Sequence, residues 1–152
     1  MMISGIKKKK AKGFTFLSGS KTIPYMKVPE TGIKIMDALE KLVVGKDAQT
    51  GPDIWCYRAA GPGKLVLSAG MQVKPGTRGK APYTARKVPE WNCLSALYKG
   101  SMPRIIEAWH ELMEYAEAKG IACSDERREI YLKWVDMDSR KNLTELQLRL
   151  KP

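Results

Sequence analysis

Two amphipathic helical segments, each framed by strand-like runs in the same order, constrain this chain more than any other feature of its 152 residues. In the second segment Ile105, Ile106, Trp109, Leu112, Met113 and Ala116 recur at helical spacing, and Glu107, Glu111, Glu114 and Glu117 fall on the other side. Ser101 is placed to cap its start, Pro103 sits in the first turn, and Gly120 suits a left-handed exit. In the first segment Ile35, Met36, Leu39, Leu42 and Val43 form the stripe, with Thr31 as the candidate cap and Gly45 as the stop. With Thr31 set on Ser101, Ile35-Met36-Asp37-Ala38-Leu39-Glu40-Lys41-Leu42 aligns with Ile105-Ile106-Glu107-Ala108-Trp109-His110-Glu111-Leu112.

A strand-like run precedes each helix, at 22–28 and 91–98. Two more follow it: 53–59 and 64–73, split by Gly61-Pro62-Gly63, then 127–135 and 142–150, split by Asp136-Met137-Asp138-Ser139. The pattern is strand–helix–strand–strand, twice. It predicts an α+β fold with two similar halves (20–75 and 82–152) about a pseudo-twofold axis. The expected architecture is an antiparallel sheet with two helices on one face and a ligand cleft on the other. Residues 74–82 have the composition of a crossing loop. Lys27-Val28-Pro29-Glu30 recurs identically at Lys87-Val88-Pro89-Glu90, but that spacing disagrees with the helix register and is read as coincidence.

The net charge of +11 is unevenly spread. Residues 1–29 hold seven lysines and no acid, and residues 1–19 are expected to form a flexible basic arm able to make weak, non-specific contact with nucleic acid. No run approaches the roughly 20 apolar residues of a membrane span. Met1 to Ile6 lead straight into lysines without an apolar signal core, so a cytoplasmic location is expected. Cys56, Cys93 and Cys123 are widely spaced, and no metal site or cofactor is expected. His110, the only histidine, lies on the polar flank of its helix and supports no catalytic triad. No phosphate-cradling glycine loop is present.

Strand alternation places the candidate site. Along 127–135 one face receives Arg128, Ile130, Leu132 and Trp134, an apolar set expected to meet the helices. The other receives Glu129, Tyr131 and Lys133. Matching Ile54 to Ile130 puts Asp53, Trp55 and Tyr57 on the corresponding face of the earlier half. An acid followed by an aromatic thus occurs twice, and the two pairs are expected to line one cleft, with Trp91 and Tyr98 at its rim and Trp109 in the core. Carboxylates among rings favour an organic cation through charge and cation–π attraction.

The run Leu97-Tyr98-Lys99-Gly100-Ser101-Met102, the Ala108-Trp109 helix, the Arg128-Glu129-Ile130-Tyr131-Leu132 strand and the closing Leu143-Thr144-Glu145-Leu146-Gln147-Leu148 strand follow one another as in the GyrI-like domains. This chain resembles that family over 82–152, and in topology over 20–75. The same domain is the effector-binding half of AraC-type and MerR-type multidrug-sensing regulators. Tyr98 stands where the family often has histidine, and Ser101-Met102 replaces Pro-Tyr. The resemblance implies a stand-alone module for a small, cationic ligand, with Glu129 as the acid that meets it. Two alternatives follow from the same family. One is hydrolysis of a reactive small molecule, with Glu129 as general base and Tyr131 as proton donor. The other is modulation of a protein partner such as DNA gyrase or a transcription regulator.

Overall fold

A computed structural model describes residues 1–43 and 48–152. Along the chain run β1 (Ile3–Ala11), β2 (Phe14–Pro24), α1 (Val28–Val43), β3 (Gln49–Ala59), β4 (Lys64–Val73), β5 (Thr84–Val88), β6 (Trp91–Lys99), α2 (Ile105–Ala118), β7 (Cys123–Lys133) and β8 (Leu143–Leu150). Single 3-10 turns, Tyr25–Lys27 and Met102–Arg104, lead into the two helices. The fold class is α+β with antiparallel strands and two helices, as expected. The chain divides into two compact units, Lys12–Glu90 and Met1–Ala11 with Trp91–Pro152.

In the Lys12–Glu90 unit the strand order is β3-β4-β2-β5, all antiparallel. Gly61 and Gly63, both at positive φ, turn β3 into β4, a geometry glycine adopts without a Cβ penalty. Leu17, Leu65, Leu67, Ala69, Met71 and Val73 alternate along their strands onto the face that α1 covers with Ile35, Met36 and Leu39. Each leucine so withdrawn from water stabilises the fold by roughly 1.5–3 kcal/mol before entropy is counted.

In the other unit the order is β1-β6-β8-β7. Leu94, Ala96, Tyr98, Leu146 and Leu148 meet Ala108, Trp109, Leu112 and Ala116 of α2. Gly120 takes φ +67°; its N–H bonds to the carbonyl of Glu117, and that of Ile121 to Ala116. This is the left-handed exit expected of that glycine. Ser101 precedes the 3-10 turn but makes no side-chain cap.

Several expectations are corrected. Residues 1–19 are not a flexible arm: residues 3–11 form a strand paired with β6, and residues 14–19 begin β2. Four consecutive lysines resemble a solvated tail, yet lysine on a sheet edge is also how edge strands resist pairing with other chains. The strand before α1 ends at Pro24 and starts at Phe14, and α1 begins at Val28, so Thr31 lies inside the helix and is no cap. Gly45 lies outside the described residues. The helices open at Val28 and Ile105, which do not coincide when Thr31 is set on Ser101. Aligning the openings instead displaces the match by nearly two helical turns, so the apolar stripe agrees in either alignment. Burial decides: with the openings aligned, Gly32, Ile35 and Leu39 fall on Trp109, Leu112 and Ala116, all buried. The recurring Lys-Val-Pro-Glu does occupy two different places, the start of α1 and the end of β5.

On the face of β6 and β8 turned away from α2 lies a polar cluster. Lys9 Nζ is 2.6 Å from Glu145 Oε2, which also accepts from Ser95 Oγ (2.8 Å) and Gln147 Nε2 (2.9 Å). Burial disfavours ionised Glu145, but the hydrogen bonds from Lys9, Gln147 and Ser95 together outweigh it and hold the carboxyl below its ordinary value of 4.5. A carboxyl depressed on folding stabilises above the unfolded pKa and loses that contribution as pH falls through the folded one. Glu145→Gln is therefore expected to cost about 1.5–3 kcal/mol at pH 7. The gap from wild type should shrink below pH 4.5 in urea unfolding series. A gap independent of pH would contradict this assignment.

Candidate functional site

Alternation along β7 brings Glu129 and Tyr131 to the same face of the strand. That face is the one covered by α2. Trp109 lies on the buried stripe of α2 with Ala108, Leu112 and Ala116, and its Nε1 donates to Glu129 Oε2 at 2.8 Å. Tyr131 Oη donates to Glu129 Oε1 at 2.6 Å. Glu129 is 6% exposed. An acid this far from water needs compensating donors, and here each carboxylate oxygen receives one from a ring. The guanidinium of Arg127 lies 5.8 Å from the centroid of the Trp109 ring, within cation–π range. The ring of Tyr131 also meets Trp134 edge-on, at 6.0 Å between centroids. The arrangement is a nearly buried carboxylate walled by aromatic groups, which can supply negative charge to a small cation but no obvious welcome to an anion.

The expected faces of β7 are reversed. Helix α2 covers Glu129 and Tyr131, so both side chains lie on the helix side of the strand. Arg128 and Ile130 are buried on the opposite face, while Leu132 and Trp134 are about half exposed. Three apolar residues outvoted one acid in the hydropathy pattern; the acid goes inside because Trp109 and Tyr131 bind it. Tyr98 is not a rim residue either. It is 2% exposed beneath α2, its Oη bonded to the carbonyl of Ser101 at 2.7 Å. Trp91 lies on the face away from α2, with Nε1 bonded to Gln147 Oε1 and the Arg128 guanidinium 3.5 Å from its ring centroid. Neither residue touches the Glu129 site by any of these bonds.

Asp53, Trp55 and Tyr57 belong to the other unit and face α1. Tyr57 is buried in the core there. Asp53 Oδ1 accepts from Gln49 Nε2 at 2.9 Å. Burial raises its pKa, with the Gln49 hydrogen bond working against the rise. Trp55 lies against α1 at Gly32, where an added Cβ would overlap the indole. Aligned from their first residues, Gln49 and Cys123, strands β3 and β7 set Trp55 against Glu129 and Tyr57 against Tyr131. That alignment differs by one strand period from the expected match of Asp53 with Glu129, a difference that keeps every side chain on its face and so escapes periodicity. A strand tryptophan lies against a helix glycine in one unit, and a helix tryptophan donates to a strand glutamate in the other.

Trp109 is the site residue that sequence reasoning consigned to the core alone. It is in the core, yet its N–H needs a partner, and a buried indole one layer from a buried acid is a readable signal. Cys93 is buried, and burial pushes its thiol up to about 11, which leaves it unreactive at neutral pH. Among the described residues no cluster of three or more His, Cys, Asp or Glu side chains is placed to hold a metal. None of the described helices is long and apolar enough to cross a membrane.

The chain is similar in structure to SAV2435 bound to tetraphenylphosphonium, with a TM-score of 0.69 at 13% identity, covering 97% of this chain and 94% of that one. It is similar to the EcmrR C-terminal domain at TM-score 0.74 and 16% identity, over 99% of each chain. A hydrolase from Listeria innocua matches at TM-score 0.60 and 14% identity, over 96% of this chain and 91% of that one. No family model and no curated protein matches. These likenesses are of fold, and the fold is the one implied by the GyrI-like resemblance.

Proposed function

We propose that this chain is an effector-binding module whose ligand is a small, largely apolar, aromatic cation received at Glu129. The observation that carries the reading is the carboxylate itself: nearly buried, flanked by Trp109 and Tyr131, and held by ring N–H and O–H donors. A cation arriving beside it gains Coulomb attraction in surroundings where water screens poorly, and each ring face adds roughly 0.5–2 kcal/mol. SAV2435, which shares the fold, is a protein bound to tetraphenylphosphonium, a cation of this description.

Titration of the full chain with tetraphenylphosphonium and with tetraphenylborate, its near-isosteric anion, tests the reading. The cation is expected to bind and the anion to bind at least about tenfold more weakly, a difference of about 1.4 kcal/mol. Glu129→Gln, neutral and nearly the same shape, is expected to remove most of that preference. Equal affinity for cation and anion, or unchanged cation affinity in Glu129→Gln, would overturn it.

The Tyr131 to Glu129 hydrogen bond of 2.6 Å also suits a hydrolytic role, and the Listeria neighbour is a hydrolase. In that reading Glu129 activates water and Tyr131 supplies a proton. Turnover of an electrophilic ester that disappears in both Glu129→Gln and Tyr131→Phe would select it over binding alone.

A further inference from the structure

Within the Lys12–Glu90 unit, an open groove of about 440 Å³ runs between α1 and the segment just before β5. Its chemistry is opposite to that of the Glu129 site. Lys34, Asp37 and Lys41 stand along one face of α1 at i, i+3 and i+7, and Lys80 faces them from the other bank. Three ammonium groups therefore face one carboxylate. Among the described residues none of the three lysines is in an ion pair, and Glu30, one turn before Lys34 on the helix, is bound to Lys27 at 3.0 Å. Like charges gathered at one groove with a single carboxylate among them repel one another, and an anion placed among them relieves that repulsion.

The bank that carries Lys80 is built in place. A backbone bond from Tyr83 N–H to the Lys80 carbonyl, 2.9 Å, closes a tight turn immediately before β5. The Tyr83 ring lies across Gly19 of β2, where an added Cβ would stand 2.9 Å from the ring, so the absence of a side chain there makes the room. Tyr83 packs on the core at that point and also lines the groove, with Leu42 opposite on α1. The result is an apolar, partly aromatic wall fixed by the sheet, with flexible cations at the edges.

From this juxtaposition we infer a second small-molecule site, selective for an organic anion with a flat apolar body: the body lies on Tyr83 and Leu42, and its acid group meets Lys34, Lys41 and Lys80. The inference stands apart from the cation reading and uses none of its residues.

Fluorescence titration of the full chain with 1-anilinonaphthalene-8-sulfonate tests it, with the neutral dye N-phenyl-1-naphthylamine as control. The sulfonate is expected to saturate one site and to weaken at least about tenfold in Lys34→Gln/Lys80→Gln. Raising salt toward about 1 M, where the screening length falls to about 3 Å, should weaken it as well. Glu129→Gln should leave it unchanged. Lys34 and Lys80 are both exposed, and circular dichroism would verify that each variant is folded. Equal affinity in the lysine variant, equally tight binding of the neutral dye, or loss of binding in Glu129→Gln would each overturn the inference.

Discussion

Trp109→Ala is expected to lower the stability of the chain by about 3–5 kcal/mol. The side chain is 4% exposed and fills the space between α2 and β7, so truncation leaves a cavity that rigid neighbours close only in part. Its removal also strips Glu129 Oε2 of its ring donor. Trp109→Phe separates the two contributions: it retains most of the volume and loses the N–H, for an expected cost of about 1.5–3 kcal/mol, as for a hydrogen bond to a charged acceptor. Urea unfolding gives both values. The double variant with Glu129→Gln should be less destabilised than the sum of the two single changes by more than about 0.5 kcal/mol. Strict additivity would mean that the indole and the carboxylate are neighbours without being coupled.

The second large effect should change sign with its background. Gly32→Ala improves helix propensity in α1 by about 1 kcal/mol. It also drives a methyl group into the Trp55 indole, an overpacking that costs typically about 1–3 kcal/mol. The steric loss outweighs the gain, and the variant should be less stable than wild type by up to about 2 kcal/mol. In a Trp55→Ala background the obstruction is gone, and the same Gly32→Ala change should stabilise by about 1 kcal/mol. Thermal or urea unfolding of the four proteins reads the reversal directly. A Gly32→Ala change that destabilises equally with and without the indole would place its cause elsewhere in the helix.

Much of this fold could be read from the residues, and the failures have two causes. Alternation located β4 at 64–73 and the start of β6 at Trp91, and the helical stripe located both helices. Strand β1 was lost because Lys7, Lys8, Lys9 and Lys10 bear no alternation, though Lys9 is tied to Glu145 and Ala11 is buried. Strand β5, short and carrying Arg86 and Lys87, was lost for the same reason. The two differences of alignment, one between the helices and one between the strands, are close to whole periods of their own elements. A displacement by a whole period leaves the hydropathy pattern unaltered, so only the partner across the contact, such as Trp55 on Gly32, exposes it.

The identical tetrapeptides mark the boundary between the two kinds of information. Lys27-Val28-Pro29-Glu30 opens α1, with Val28 at φ −57° and ψ −53°, although a residue before proline is biased away from the α region. Lys87-Val88-Pro89-Glu90 closes β5, with Val88 paired to Phe14. Periodicity and composition determined the α+β class, the order of elements from α1 onward apart from β5, and the presence of an acid beside an aromatic on one strand face, because these depend on neighbours along the chain. Tertiary packing decided which face of β7 turns inward, that Trp109 meets Glu129, and which copy of Lys-Val-Pro-Glu is helical. Those outcomes depend on hydrogen-bond and packing partners far off in the chain, whose free energies exceed the local preferences they override.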